Sequence, residues 1–380
     1  MNIKSGYKFA SGDYVFAKVA SQVKEYKRKN PQNEVVDLGV GDVKFAPPEE
    51  ISLQLIKESQ RFSTCDGFMG YPPEEGLWQL RSKISQTYQA QGGCVLPEEV
   101  FITEGAKPAL GNLFEICNFK KVAILAPTYP LYQELCNLHG VQTQLINGES
   151  GANILPKGNV DAVFLCSPNN PTGRVISLNG LKKYATYAKK AGAVIVIDGA
   201  YADFSKKYPC PYVFGGGKQI IEIRSYSKNL SFTGLRLGYV VIKKENPIYG
   251  AYKRYLSLRS NGVNVIMQRS AIISYENKSK MQEAERIEYY RKNATILKNT
   301  FKKCGLKCVG GVNAPYILVS VNQSGEEFFK NMLWNYGLVV TPGEAFGAKN
   351  SVRVSCLNTR EITQKGAKIF KSALQNQNKK

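Results

Sequence analysis

In this 380-residue chain the run Ser225-Tyr226-Ser227-Lys228 stands eight residues before Arg236. An amine beside two hydroxyls and a guanidinium can hold a phosphorylated aldehyde: the lysine forms a Schiff base, and the other groups bind the phosphate. Apolar residues precede the run (Ile220, Ile221, Ile223) and follow it (239–242), so strand, polar turn and strand would present the amine at a sheet edge. Alone, Lys228 reads equally well as a surface lysine in a lysine-rich chain. Its companions decide.

Open α/β sheets bind ligands beyond the carboxyl ends of their strands, so the residues just past each apolar run are the informative ones. After 100–103 comes Glu104-Gly105-Ala106-Lys107, at a helix start whose free N–H groups favour a phosphate. After 122–125 comes Tyr129, an aromatic face; after 162–166, Asn170 in a proline-braced loop; after 194–197, Asp198 and Tyr201. Singly these are a core aromatic, a turn former, a helix cap and a wall residue. Together their jobs are complementary. Asp198 can keep a pyridine nitrogen protonated, Asn170 and Tyr201 can bond a phenolate-type oxygen, and Tyr129 can stack on the ring. Ser225, Ser227, Arg236 and the Ala106 and Lys107 amides can bind the phosphate. That set describes a site for pyridoxal 5′-phosphate.

The elements that must position these groups follow from periodicity. Val15, Val19, Val23 and Tyr26 predict an amphipathic helix over 14–29, and 35–38 a short strand breaking into a glycine turn at Gly41. On its own, Gly41 is a tight turn and nothing more. A rigid loop at 70–76 delivers Tyr71 and opens a helix through Leu77, Leu80, Ile84 and Tyr88. From residue 100 strands and helices alternate, and the strands are continuous apolar runs. Both their faces are therefore covered, which predicts an α/β, three-layer αβα fold around a mainly parallel sheet. The last third changes to a smaller α+β unit, with a long helix at 278–304 and strands at 316–321, 338–341 and 352–355. The expected division is 1–45 packing with the small unit, 46–260 as the large cofactor-binding domain, and 261–380 as the small domain.

Composition narrows the classes. Hydrophobic residues make up 43% of the chain, no apolar run approaches the roughly 20 residues of a membrane span, and the first ten residues lack a leader's apolar core. A soluble cytoplasmic protein is expected. The nine cysteines are scattered and odd in number, which suits reduced thiols, and a single histidine leaves no metal-ligand set. The formal net charge of +21 raises a nucleic-acid reading. The basic residues are spread through helices without an aromatic-studded basic repeat, so that reading ranks last.

The ordered series Tyr71, Ala106-Lys107, Tyr129, Asn170-Pro171-Thr172-Gly173, Asp198 with Tyr201, Ser225 to Lys228, Arg236 and Arg353 resembles the fold-type I, class I/II pyridoxal-phosphate aminotransferases over nearly the whole chain. Tyr14-Val15-Phe16-Ala17, Leu38-Gly39-Val40-Gly41-Asp42, Asn261-Gly262-Val263 and Asn313-Ala314-Pro315-Tyr316 are most similar to the branch acting on LL-diaminopimelate. The resemblance implies that Lys228 tethers the cofactor and moves the α-proton, and that Arg353 clamps the substrate α-carboxylate. It places Tyr71 on the phosphate of a neighbouring subunit in a homodimer with shared sites. Tyr14, Gly41, Lys107 and Asn261 would face the substrate's second amino-acid end, with Tyr129, Asn170 and Asn261 serving cofactor and substrate alike. The implied partners are small amino and keto acids: LL-2,6-diaminopimelate and 2-oxoglutarate, giving tetrahydrodipicolinate and glutamate. Ser260, Pro72 and Leu318 depart from that branch's pattern near the substrate pocket, which leaves alanine, aromatic or lysine-like donors, or carbon–sulfur lysis, as alternatives within the fold.

Overall fold

The computed structural model describes residues 5–8, 14–148 and 154–377. The first elements are α1 (Ser5–Lys8), α2 (Val15–Lys29), β1 (Val36–Asp37), α3 (Glu49–Phe62) and α4 (Trp78–Ala90). Strands and helices then alternate: β2 (Val100–Thr103), α5 (Ala106–Ile116), β3 (Lys121–Ala126), α6 (Leu131–His139), β4 (Gln142–Asn147), β5 (Ala162–Cys166), α7 (Leu178–Ala191), β6 (Val194–Asp198), β7 (Ile220–Ser225) and β8 (Gly238–Ile242). Helices α8 (Tyr249–Arg259), α9 (Val265–Ile272) and α10 (Asn277–Lys303) lead to β9 (Cys308–Gly310), β10 (Tyr316–Ser320), α11 (Gly325–Tyr336), β11 (Leu338–Val339), β12 (Thr341–Pro342), β13 (Ser351–Ser355) and α12 (Arg360–Gln377).

The main sheet runs β2-β8-β7-β6-β5-β3-β4, and β8 alone opposes the other six strands. Its inner strands are largely apolar because alternate residues bury on opposite faces; β7 is the exception, with Glu222 fully buried and Arg224 two residues on. Val163, Leu165, Ile195 and Ile197 pack against α4 and α7, while Phe164, Val194, Val196 and Ile223 pack against α5, α6 and α8. Strand β4 departs from that expectation: it pairs only with β3, and Gln142, Leu145 and Asn147 are exposed at the edge. The long parallel helices end where their chemistry says they should. Ser177 caps α7 by accepting the Gly180 N–H at 3.2 Å, and Gly192 closes it in a left-handed turn (φ 68°).

The second sheet is antiparallel, β12-β13-β10-β9. Its core takes Val19 and Tyr26 from α2, Leu297 and Phe301 from α10 and Phe370 from α12, and β1 adds Val36 beside Leu338 of β11. Helix α2 and β1 thus pack on the chain's last third, while α1 lies against α6. Past residue 260, Val263 and Ala271 still pack with the main sheet's core. Among the described residues no helix is long and apolar enough to cross a membrane.

Candidate active site

Strands β5 and β6 end level, Cys166 pairing with Asp198, and β7 runs two residues past Ile223, the partner of Asp198. The residues that follow them line one cavity of about 360 Å³, together with the start of α5 and with Arg353 of β13.

At one end are Ser225, Ser227, Arg236 and the first turn of α5. Helix α5 begins at Ala106 with no side-chain cap, which leaves its first N–H groups and the positive end of its dipole free for an anion. The approach is tight. Gly105 takes φ 108°, and a Cβ there would lie 2.7 Å from Nη2 of Arg236. Arg236 itself holds the left-handed region (φ 58°), and its Nη1 donates to the Thr233 carbonyl at 2.9 Å and to Ser227 Oγ at 3.4 Å. Burial lowers the pKa of Lys107, and the Arg236 charge lowers it further.

On the cavity floor Asp198 is buried. Its Oδ2 accepts from the Tyr132 hydroxyl at 2.7 Å and its Oδ1 from the Ala200 N–H at 3.1 Å. Burial raises the carboxyl pKa, and these two donors work against the rise by favouring the anion. Tyr129 lines the wall and its hydroxyl accepts from Tyr14 at 3.1 Å. The Tyr201 and Tyr316 hydroxyls lie 3.0 Å apart.

Lys228 and Arg353 share the cavity. Burial pushes Lys228 down to about 8, helped by the charges of Arg353 and Arg236 and opposed by Asp42; its Nζ donates to the Gly41 carbonyl. Arg353 is 1% exposed. Its Nη1 donates to Asn170 Oδ1 at 3.2 Å and its Nη2 to the Gly39 carbonyl at 2.7 Å, while Nε has no partner. The rings of Tyr316, Phe346 and Phe16 surround the guanidinium at 4.4, 4.9 and 5.0 Å. Among the described residues no carboxylate is paired with it, so a buried cation is left for a ligand's carboxylate to meet.

Of the residues singled out from the sequence, Gly41, Ala106, Lys107, Tyr129, Asn170, Asp198, Tyr201, Ser225, Ser227, Lys228, Arg236 and Arg353 all line the cavity. Tyr14 borders it through Tyr129 and lies under the Lys107 ammonium, 4.9 Å from its ring centre. Tyr71, 83% exposed, and Asn261, also exposed, do not line it. Sequence reading passed over Tyr132, Tyr316 and Phe346 as working groups. Tyr132, three residues past Tyr129 on α6, carries the signature of a core aromatic, and only strand register brings Asp198 to it.

The donor set fits pyridoxal 5′-phosphate. The glycine-lined cradle between α5 and Arg236 accepts a phosphate, Asp198 a protonated ring nitrogen, Asn170 and Tyr201 a ring oxygen, and Lys228 the aldehyde. The comparisons with known proteins point the same way. The family model for aminotransferase class I and II matches residues 33–369. An LL-diaminopimelate aminotransferase of Desulfotalea psychrophila is 34% identical over 98% of this chain and the whole of that protein. One of Prochlorococcus marinus (strain MIT 9515) is 32% identical over 95% of this chain and 97% of its own length. Among solved structures, the L,L-diaminopimelate aminotransferase from Chlamydomonas reinhardtii superposes with a TM-score of 0.89 at 27% identity, covering 98% of each chain. With a half-buried lysine and a buried arginine facing one cavity, and a family match over most of its length, the chain belongs to the class I and II aminotransferases.

Proposed function

We propose that this aminotransferase uses pyridoxal 5′-phosphate to move an amino group between LL-2,6-diaminopimelate and 2-oxoglutarate, with tetrahydrodipicolinate and glutamate on the other side of the reaction. The observation that carries the reading is a desolvated lysine sharing a cavity with a fully buried arginine that no carboxylate among the described residues neutralises. The two LL-diaminopimelate aminotransferases at 34% and 32% identity support the choice of substrate.

When bound, pyridoxal phosphate supplies an electron sink for the pair released as a substrate α-proton leaves. The chain supplies the rest. Arg353 grips the α-carboxylate as a bidentate fork and orients the α-carbon. With a pKa near 8, Lys228 has an appreciable neutral fraction at neutral pH, so its Nζ can take that proton and later return it. Asp198, whose anion the Tyr132 and Ala200 donors favour against burial, would hold the proton on the ring nitrogen. Lys107 lines both this cavity and an adjoining one of about 790 Å³ that Tyr14 also lines. The second amino-acid end of diaminopimelate would reach that boundary, where an ammonium and a phenol meet it. The exposed Tyr71 and Asn261 are read as groups that complete the site of a second copy in a homodimer.

The test is a steady-state assay of glutamate formation from 2-oxoglutarate with LL- and meso-diaminopimelate, alanine, phenylalanine and lysine as donors. Preference for the LL isomer is expected. Turnover of alanine or phenylalanine without diaminopimelate would assign the chain another substrate within the same family.

A further inference from the structure

The loops that carry Asn170, Tyr201 and Tyr316 come together outside the cavity at Asn313. Its Nδ2 donates to the Gly173 carbonyl at 3.2 Å, and its Oδ1 accepts from Ser205 Oγ at 2.9 Å. Gly173 ends the loop that holds Asn170, and Ser205 follows Tyr201 by four residues. Asn313 lies three residues before Tyr316, whose ring packs on Arg353 and whose hydroxyl meets Tyr201. One amide therefore ties three loops from two sheets.

The contact leaves little slack. Gly173 takes φ 67°, and a Cβ there would lie 3.4 Å from the Gly310 Cα. Arg291 of α10 adds a second tie, with Nη2 donating to the Phe204 carbonyl at 2.6 Å and Nε to the Val312 carbonyl at 3.2 Å. Asn170, Tyr201 and Tyr316 all face the Arg353 half of the site. The phosphate half, built from β7, β8 and α5, has no part in the knot.

We propose that Asn313 is a positioning residue for the carboxylate-binding half of the active site. Its side-chain hydrogen bonds go to Gly173 and Ser205, neither of which lines the cavity, and it acts by holding Asn170 and the Tyr201–Tyr316 pair against the guanidinium. The test compares the full-length wild type with N313A, which severs both ties, and N313D, which keeps the Ser205 bond but sets a carboxylate against the Gly173 carbonyl. Amide hydrogen exchange of the substrate-free protein is the first readout. N313A should speed exchange in 169–173 and 199–205 together, N313D chiefly in 169–173, with 225–236 unchanged in both.

The second readout is a KM-against-kcat split with whichever amino acid the wild type turns over. KM should rise about tenfold, equivalent to about 1.4 kcal/mol of lost orientation, while kcat holds. Unchanged exchange in both loops would overturn the proposal, as would a fall in kcat at constant KM. The exchange arm uses no substrate, so a wrong assignment of diaminopimelate cannot be mistaken for failure here.

Discussion

Replacing Arg353 by methionine separates function from stability. In the ligand-free chain Arg353 is a buried cation whose hydrogen-bond partners are neutral: Asn170 Oδ1, the Gly39 carbonyl and, at 3.4 Å, Thr341 Oγ1. Burying an ion without a counter-ion costs several kcal/mol even after relaxation. Methionine removes that cost and can pack against the same three rings. It leaves Asn170 Oδ1 and the Gly39 carbonyl without these donors, at about 1–3 kcal/mol each. The two effects nearly cancel, so the unfolding free energy should move by no more than about 2 kcal/mol. Binding a substrate carboxylate has no such offset. Two charge-assisted bonds at about 1.5–2 kcal/mol apiece give a loss of about 3–4 kcal/mol, or roughly 10²- to 10³-fold in kcat/KM. Arg353→Lys, which keeps the charge but loses the fork, should fall between the two. Urea unfolding of the cofactor-free proteins and steady-state kinetics measure both. An R353M protein destabilised by more than about 4 kcal/mol with normal kcat/KM would show that the arginine is a strand-packing group and refute the reasoning.

Three further outcomes follow from the titrating groups. Folded Lys228 releases its proton near pH 8 instead of its usual 10.5, so below pH 8 the folded state carries a burial penalty that the unfolded chain escapes. That penalty fades as pH rises from about 8 to 10.5; K228M in the cofactor-free protein should therefore gain up to about 3 kcal/mol at pH 7 and nothing at pH 10.5 in urea titrations. Glu283 sits well above the usual carboxyl range because partial burial and the nearby Asp203 charge disfavour its anion, so folding loses stability as pH rises from the ordinary value of 4.5 through the raised one. E283Q should flatten that slope and melt higher than wild type at alkaline pH, and parallel melting curves across pH would count against it. Tyr132→Phe removes the donor on Asp198 Oδ2, lets the carboxyl pKa climb further, and should weaken pyridoxal phosphate binding about tenfold in fluorescence titrations of the cofactor-free chain.

What could be read from the residue order, and what could not, divides by physical cause. Strands β5, β6 and β8 were legible because two-sided burial leaves them no polar alternation, and β7 through Ile220, Ile221 and Ile223 despite Glu222 and Arg224; their loop residues could then be ordered along one sheet edge. Strand β4 escaped because an edge strand is free to carry Gln142, Gln144 and Asn147. Helix α9 is only eight residues long, too short for a periodicity to stand out, whereas α10 carries a readable stripe in Ile287, Tyr290, Ala294, Leu297 and Phe301. The site shows the same split. Lys228 and Asp198 become readable only as members of an ordered set at successive strand ends, and Arg353 only through the family resemblance. Tyr132 and Asn313 declare nothing, since a tyrosine on a helix and an asparagine in a turn satisfy ordinary structural roles. Their work lies in what they touch across the fold: Tyr132 reaches Asp198 from 66 positions away, and Asn313 reaches Gly173 from 140. Groups that line the cavity are therefore recoverable as an ordered set along the sheet edge, while groups that hold them in place appear only once strand register and loop packing bring distant residues within hydrogen-bond reach.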